Sequence, residues 1–192
     1  DEQIGRVMTA LEESGLAGNT IVVFSADHGI ANGQHGLVGK QNCYDHSHKV
    51  PMILSGPGVR ADSRGKGLCY LLDLFPTLMD LTNLDCPESV EGVSFERALV
   101  NPQSPLRSHL LHGYRGVQRG VRDERYKLIE YRANGMRTSQ LFDLENDPWE
   151  ISNIASCPRH HERVTSMRND MRRWETELND TGAWSSFWDG FD

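Results

Sequence analysis

Apolar residues at Ile4, Val7, Met8 and Leu11 recur at intervals of three and four, the stripe of an amphipathic helix, and Gly15 and Gly18 follow where such a helix would end. Residues 20–25, Thr-Ile-Val-Val-Phe-Ser, are apolar on both faces, as in a strand covered by helices on each side. Helix, turn and covered strand predict half of a βαβ unit. A second strand is predicted over 50–54, and Pro51 assigns it to a sheet edge or to the strand's beginning. Residues 71–84 return to helical spacing through Leu71, Leu72, Leu74, Phe75, Leu78, Met79 and Leu81, with Pro76 either opening the helix proper or kinking it. Pro87, Pro102 and Pro105 then mark a loop-rich connection. A boundary near 102–107 divides the chain into an α/β part over 1–105 and a second part over 106–192.

Beyond that boundary the period changes. Residues 116–122, 125–131 and 139–144 are short, half-polar runs separated by Asp123-Glu124 and Asn134-Gly135, which predicts an antiparallel sheet. Val164, Met167, Met171, Trp174 and Leu178 then define a helix that would lie on this sheet. Arg163, Arg168, Arg172 and Arg173 are expected on its solvated face. The final stretch, with Trp184, Phe187, Trp188 and Phe191, is aromatic without period, which suits a tail docked on the fold or on a partner.

Composition narrows the classes. The 192 residues carry 20 Lys and Arg against 27 Asp and Glu, a net charge of -7, so the cationic footprint of a nucleic-acid binder is missing. Mean hydropathy is -0.54, and no apolar run approaches the roughly 18 residues of a membrane span. Cys43, Cys69, Cys86 and Cys157 form no C-x-x-C pair, which leaves two disulfides and four free thiols both open.

Candidate chemistry gathers after the first strand. Ser25-Ala26-Asp27-His28-Gly29 stands at a strand's carboxyl end, where open α/β sheets collect ligands. A carboxylate oxygen and an imidazole nitrogen could together hold a divalent cation, with Gly29 turning the backbone away. Two ligands make an incomplete shell. Lys40, after a glycine-bounded loop, could supply a fixed ammonium to an oxygen that gains charge during reaction. Asp45 and Lys49 are expected to form a salt bridge that pins this loop. His28, His35, His46 and His48 lack the ligand spacing of a local zinc site.

In sequence order, Asn19-Thr-Ile-Val-Val-Phe-Ser-Ala-Asp-His-Gly29, Gln34-His-Gly-Leu-Val-Gly-Lys40, Tyr44-Asp45 with Val50-Pro-Met-Ile-Leu54, Gly56-Pro-Gly58, Leu72-Asp-Leu-Phe-Pro-Thr77, Tyr126-Lys-Leu-Ile129 and Leu141-Phe-Asp-Leu-Glu-Asn-Asp-Pro148 resemble the sulfatase family of the alkaline-phosphatase-like superfamily. The resemblance implies an α/β fold carrying a smaller antiparallel sheet and a C-terminal helix. It implies hydrolysis of a small-molecule or carbohydrate sulfate ester at a divalent metal, usually calcium, by a formylglycine made from Cys or Ser. In its terms Asp27 and His28 are metal ligands, and Lys40 is the catalytic lysine that binds sulfate and steadies the leaving oxygen. His109, His112, Tyr114 and Arg115 are candidates for a substrate rim. Exported or lysosomal placement is typical of the family.

Two departures stand out. Calcium prefers oxygen ligands, whereas His28 offers nitrogen, which suits manganese and keeps a phosphodiester or phosphonate monoester hydrolase as the alternative. No Cys or Ser is followed by x-Pro-x-Arg, the nucleophile motif, and the family's amino-terminal aspartates are missing as well. The expectation is therefore the C-terminal part of a sulfatase, inactive by itself and completed by the N-terminal half of the same enzyme. The aromatic tail motivates a third reading, a non-catalytic binding or oligomerisation remnant.

Overall fold

The opening stripe forms helix α1 (Glu2–Glu13), which ends at Gly15, whose φ of 73° places it in the left-handed region that glycine adopts without strain. Strand β1 (Val22–Ser25) follows. The chain then passes through β2 (Ala31–Asn32), β3 (Val38–Gly39) and α2 (Asp45–His48) before returning as β4 (Met52–Ser55). A computed structural model describes residues 1–104, 106–180 and 187–191, so Pro105 and Trp184 lie outside the described residues. The chain divides into two compact units, one built from Asp1–Asp27 with Pro51–Leu106 and the other from His28–Val50 with Arg107–Asp192.

In the first unit β1 pairs antiparallel with β4, Val23 facing Leu54. Helix α1 followed by β1 matches the predicted helix, turn and strand, and the neighbour that β4 supplies to β1 runs in the opposite direction. Neither face of β1 is fully covered, and Phe24 is exposed. Pro51 directly precedes β4, where its missing N–H breaks no ladder, and its carbonyl accepts a hydrogen bond from the Ser25 hydroxyl at 2.9 Å. Helix α3 (Leu74–Leu81) carries Pro76 in its first turn, so the proline opens the helix rather than kinking it. The Asp-Leu-Phe-Pro-Thr run is a staple. Buried Asp73 accepts from the backbone N–H of Tyr70 and of Val93, each at 2.8 Å, and the buried Thr77 hydroxyl accepts from Phe95 N–H at 2.9 Å. Phe95 stands just before the short helix α4 (Glu96–Val100).

The second unit is a four-stranded antiparallel sheet in chain order, β5 (Leu110–Tyr114), β6 (Gln118–Arg122), β7 (Tyr126–Ala133) and β8 (Met136–Asp143). The last three match the predicted runs; β5 was not foreseen. Asn134 and Gly135 both take positive φ, 53° and 76°, as the two-residue turn between β7 and β8 requires. Helix α5 (His161–Glu177) covers one face, packing Val164, Met167 and Met171 on Val121, Leu128 and Leu141. The opposite face is covered by residues 28–50, whose Cys43 and Tyr44 pack on Ile129 and Phe142. Apolar contact thus places 28–50 with the second unit, whereas the sequence reading kept it in the first part.

Because side chains alternate along a strand, β7 is divided between two interiors: Leu128 and Glu130 face α5, while Lys127 and Ile129 face residues 28–50. All four are fully buried. The expected solvated arginine face of α5 needs correction at Arg168, which is buried and donates to Glu130 at 2.9 Å. Leu178, expected in the stripe, lies past the end of α5 and is exposed. The aromatic tail docks on its own fold. Phe187 and Phe191 are buried, the guanidinium groups of Arg119, Arg168 and Arg172 lie over Phe187, Phe191 and Trp188, and the Trp188 indole N–H donates to Glu175.

Candidate active site

Asp27 is the last residue of the first unit, exposed at the end of β1, and His28 is the first of the second. Gly29 earns its place by proximity rather than by an unusual turn: its N–H donates to Ser47 O at 2.9 Å, and a Cβ there would stand 2.0 Å from the His46 carbonyl oxygen. That contact ties the Asp27-His28 turn to α2. On the imidazole of His28, Nδ1 lies 2.8 Å from the Gly29 carbonyl oxygen, which can only accept, so Nδ1 carries the proton and Nε2 presents its lone pair. Lys40 Nζ donates to that lone pair at 2.5 Å. The structure thus brings together His28 and Lys40, two of the three residues singled out for chemistry.

Beneath these residues the 28–50 segment is locked to the sheet by charge. Lys127, fully buried on β7, pairs with Asp45 and, at 2.7 Å, with Glu150; Arg122 on β6 pairs with Asp45 at 3.2 Å. Glu150 also accepts the Asp45 backbone N–H at 2.7 Å, which satisfies one of the unpaired amides at the start of α2. Burial opposes the Asp45 carboxylate, but Lys127 and Arg122 outweigh it and hold its pKa below the usual carboxylate range. The expected partner Lys49 is replaced by these two cations, a correction that follows from Asp45 pointing at the sheet. Lys127 and Glu150 were missed altogether. A lysine in a half-polar strand reads as a solvent-facing residue, and only the packing of 28–50 turns that face inward.

His112, the rim candidate on β5, faces His48 instead, with the two Nδ1 atoms 2.8 Å apart and the rings edge to face. Burial keeps both imidazoles below the usual histidine range, His112 well below it. His35 lies flat on Tyr44, centroids 4.0 Å apart, and His46 stacks beside them. Among the described residues no group of three or more His, Cys, Asp or Glu converges as a metal cage. The fit to a metal is therefore partial and rests on His28: an imidazole with its Nδ1–H tied to a carbonyl and its Nε2 lone pair turned toward a cation has the orientation that metal-ligating histidines share. Cys43, Cys86 and Cys157 carry free thiols, and burial pushes that of Cys43 up to about 12.

A family model described as N-sulphoglucosamine sulphohydrolase, C-terminal, matches residues 33–177. The chain belongs to this sulfatase family. Arylsulfatase from Clostridium perfringens is 32% identical over 176 residues, covering 88% of this chain and 36% of that protein, and arylsulfatase K of Bos taurus is 30% identical over 168 residues, covering 81% and 31%. The sulfatase chain thus spans about a third of the length of the curated relatives it matches. Among solved structures, BT1596, a 2-O GAG sulfatase, superposes with a TM-score of 0.81 at 30% identity, covering 93% of this chain and 41% of its own. The phosphonate monoester hydrolase SpPMH from Silicibacter pomeroyi superposes at 0.77 with 25% identity, covering 91% and 38%. These neighbours support the expected alkaline-phosphatase-like α/β fold with its antiparallel sheet and C-terminal helix. No helix among the described residues is long and apolar enough to cross a membrane.

Proposed function

We propose that this chain is the C-terminal part of a sulfatase that hydrolyses the sulfate ester of a carbohydrate or small molecule, working together with an N-terminal part that supplies the formylglycine. The observation that carries the reading is the 2.5 Å contact between Lys40 and His28, within a chain of sulfatase sequence. Lys40 has three N–H donors. One is spent on His28, and two remain for sulfate oxygens, whose negative charge grows as the ester S–O bond breaks. His28 and Gly29 orient the ammonium, and the contact between Gly29 and Ser47 holds that turn to α2. Asp27 and His28 would provide one oxygen and one nitrogen ligand to a divalent cation, calcium or alternatively manganese, which when bound supplies positive charge beside the sulfate oxygens. The His28 Nε2 lone pair can serve only one of the two at a time, so a bound cation would displace the Lys40 N–H from it, and the freed ammonium and the cation would then flank the same anion.

In the intact enzyme Lys40→Ala is expected to lower turnover of an aryl sulfate by about 100-fold or more, the scale of losing one preorganised donor to a developing charge; a near-wild-type rate would overturn the assignment. Asp27→Ala should reduce metal content measured by elemental analysis. The imidazole ligand and the likeness to a phosphonate monoester hydrolase favour one second reading, hydrolysis of a phosphonate or phosphate ester. Paired assays of the intact protein on sulfate and phosphonate esters separate the two.

A further inference from the structure

His48 closes α2 and His112 stands on β5, and their Nδ1 atoms lie 2.8 Å apart. A bond between two ring nitrogens needs one N–H and one lone pair, so the two Nδ1 atoms hold a single proton between them. If each Nδ1 carried its own proton, two N–H groups would face each other with no lone pair to receive either. The His112 Nε2 is no better a place for a proton, being buried without a hydrogen-bond partner among the described residues. The charges around the pair are already balanced. Lys127 from β7 and Arg122 from β6 bear on the rings as cations, Asp45 from α2 bears on them as an anion, and Glu150 answers Lys127 at 2.7 Å. His46, also on α2, is itself kept below the usual histidine range by burial and then by His35 and Lys127. A proton added to the pair is therefore a third cation against two carboxylates.

Helix α2 holds both sides of the contact between His28 and Lys40. The Ser47 carbonyl accepts the N–H of Gly29, next to His28, at 2.9 Å. His48 hydrogen-bonds the Asn42 backbone, and Asn42 N–H donates to the Lys40 carbonyl at 3.0 Å. The His48 imidazole thus links a strand of the sheet to the backbone of Lys40 through two hydrogen bonds.

We infer that His48 and His112 form a proton-operated positioning latch: sharing one proton they pin α2 and the Lys40 backbone to β5, and a further proton releases them. The inference rests on the reading of Lys40 as the lysine that meets sulfate, and gives that site a pH dependence set by residues two hydrogen bonds away. Burial keeps both imidazoles below 6.5 in the folded protein, so the latch is closed at pH 8 and opens as pH falls through the lowered values. In the intact enzyme, the ratio of kcat/KM on an aryl sulfate at pH 5 to that at pH 8 should be higher in His48→Asn than in wild type by about threefold or more, because an amide facing His112 has no site for the further proton. Protonation of His28 is common to both proteins and cancels in the comparison. A purely structural role for His48 would lower the rate of the variant at both pH values instead. In the wild type, the backbone amide resonances of Lys40 and Asn42 should shift in step with the His48 ring as pH is lowered, a measurement that needs no variant. A ratio in His48→Asn equal to or below that of wild type, or amides that stay fixed while His48 titrates, overturns the latch. If the wild type hydrolyses no sulfate ester at any pH, the sulfatase reading itself fails, and the amide titration still decides the latch.

Discussion

Burying an ammonium costs several kcal/mol unless anions meet it, and Lys127 meets two, Asp45 and Glu150, in the interior of the second unit. Removing the ammonium strands those carboxylates, with Arg122 left as the ion-pair partner of Asp45 among the described residues. Lys127→Met in the intact protein is therefore expected to cost about 3 kcal/mol or more in urea unfolding, and to lower activity through looser placement of Lys40; a stability within about 0.5 kcal/mol of wild type would contradict the clamp. The cysteines give a second test at this scale. Cys43 is fully buried with its thiol pushed up to about 12, whereas Cys86 is exposed. A thiol reagent at pH 8 should modify Cys86 in the native protein and reach Cys43 only after denaturation, read by mass spectrometry. Asp27, His28 and Lys40 were picked out as candidates because they stand in contiguous motifs, and the proximity of His28 to Lys40 came from the fold. The roles of Lys127, Glu150 and Arg168 were not legible, since a charged residue in a short run signals solvent until a second layer is known to cover it.

Between elements, α5 and α2 are attached to opposite faces of one strand by buried charge. The Arg168 to Glu130 pair fixes α5, and replacing Arg168 alone with Met should destabilise by about 3 to 5 kcal/mol because Glu130 is left uncompensated. The double variant with Glu130→Leu should recover most of the loss in the same urea titration. The contact between α2 and β5 is made by His48 and His112, each with its pKa below 6.5 in the folded protein, first through burial. Such groups bind protons more tightly when unfolded, so their contribution to stability is present above about 6.5 and is lost as pH falls through the lowered values. Glu130, whose pKa burial raises, works in the opposite sense, so the comparison is made against a variant. The difference in unfolding free energy between wild type and His112→Asn is expected to shrink from pH 8 to pH 5; a difference that stays constant would remove the histidine pair from the account. Elements themselves were largely legible. α1, α3, β6, β7, β8 and α5 follow their periodicities, but β5 did not, because Leu110–Tyr114 mixes glycine, histidine and tyrosine too closely for a two-residue period to show.

Over the whole chain, the described apolar surface is unevenly covered. Val7, Phe24, Ile53, Leu72, Phe75 and Leu84 in the first unit are all exposed, Val7 at 68%. Large exposed apolar patches bind hydrophobic dyes and promote association. The 192-residue chain expressed by itself should therefore bind anilinonaphthalene sulfonate and sediment as more than a monomer; an inert monomer would contradict this. The sequence by itself determined the sulfatase family and most of the regular elements, because each is encoded locally in periodicity, turn residues or contiguous motifs. Tertiary structure alone decided that β1 runs antiparallel to β4, that 28–50 packs with the second unit, that His48 meets His112, and that Lys127 is a clamp. Those facts depend on which surface covers which, and a linear pattern records only that a position alternates, not what lies on either side of it.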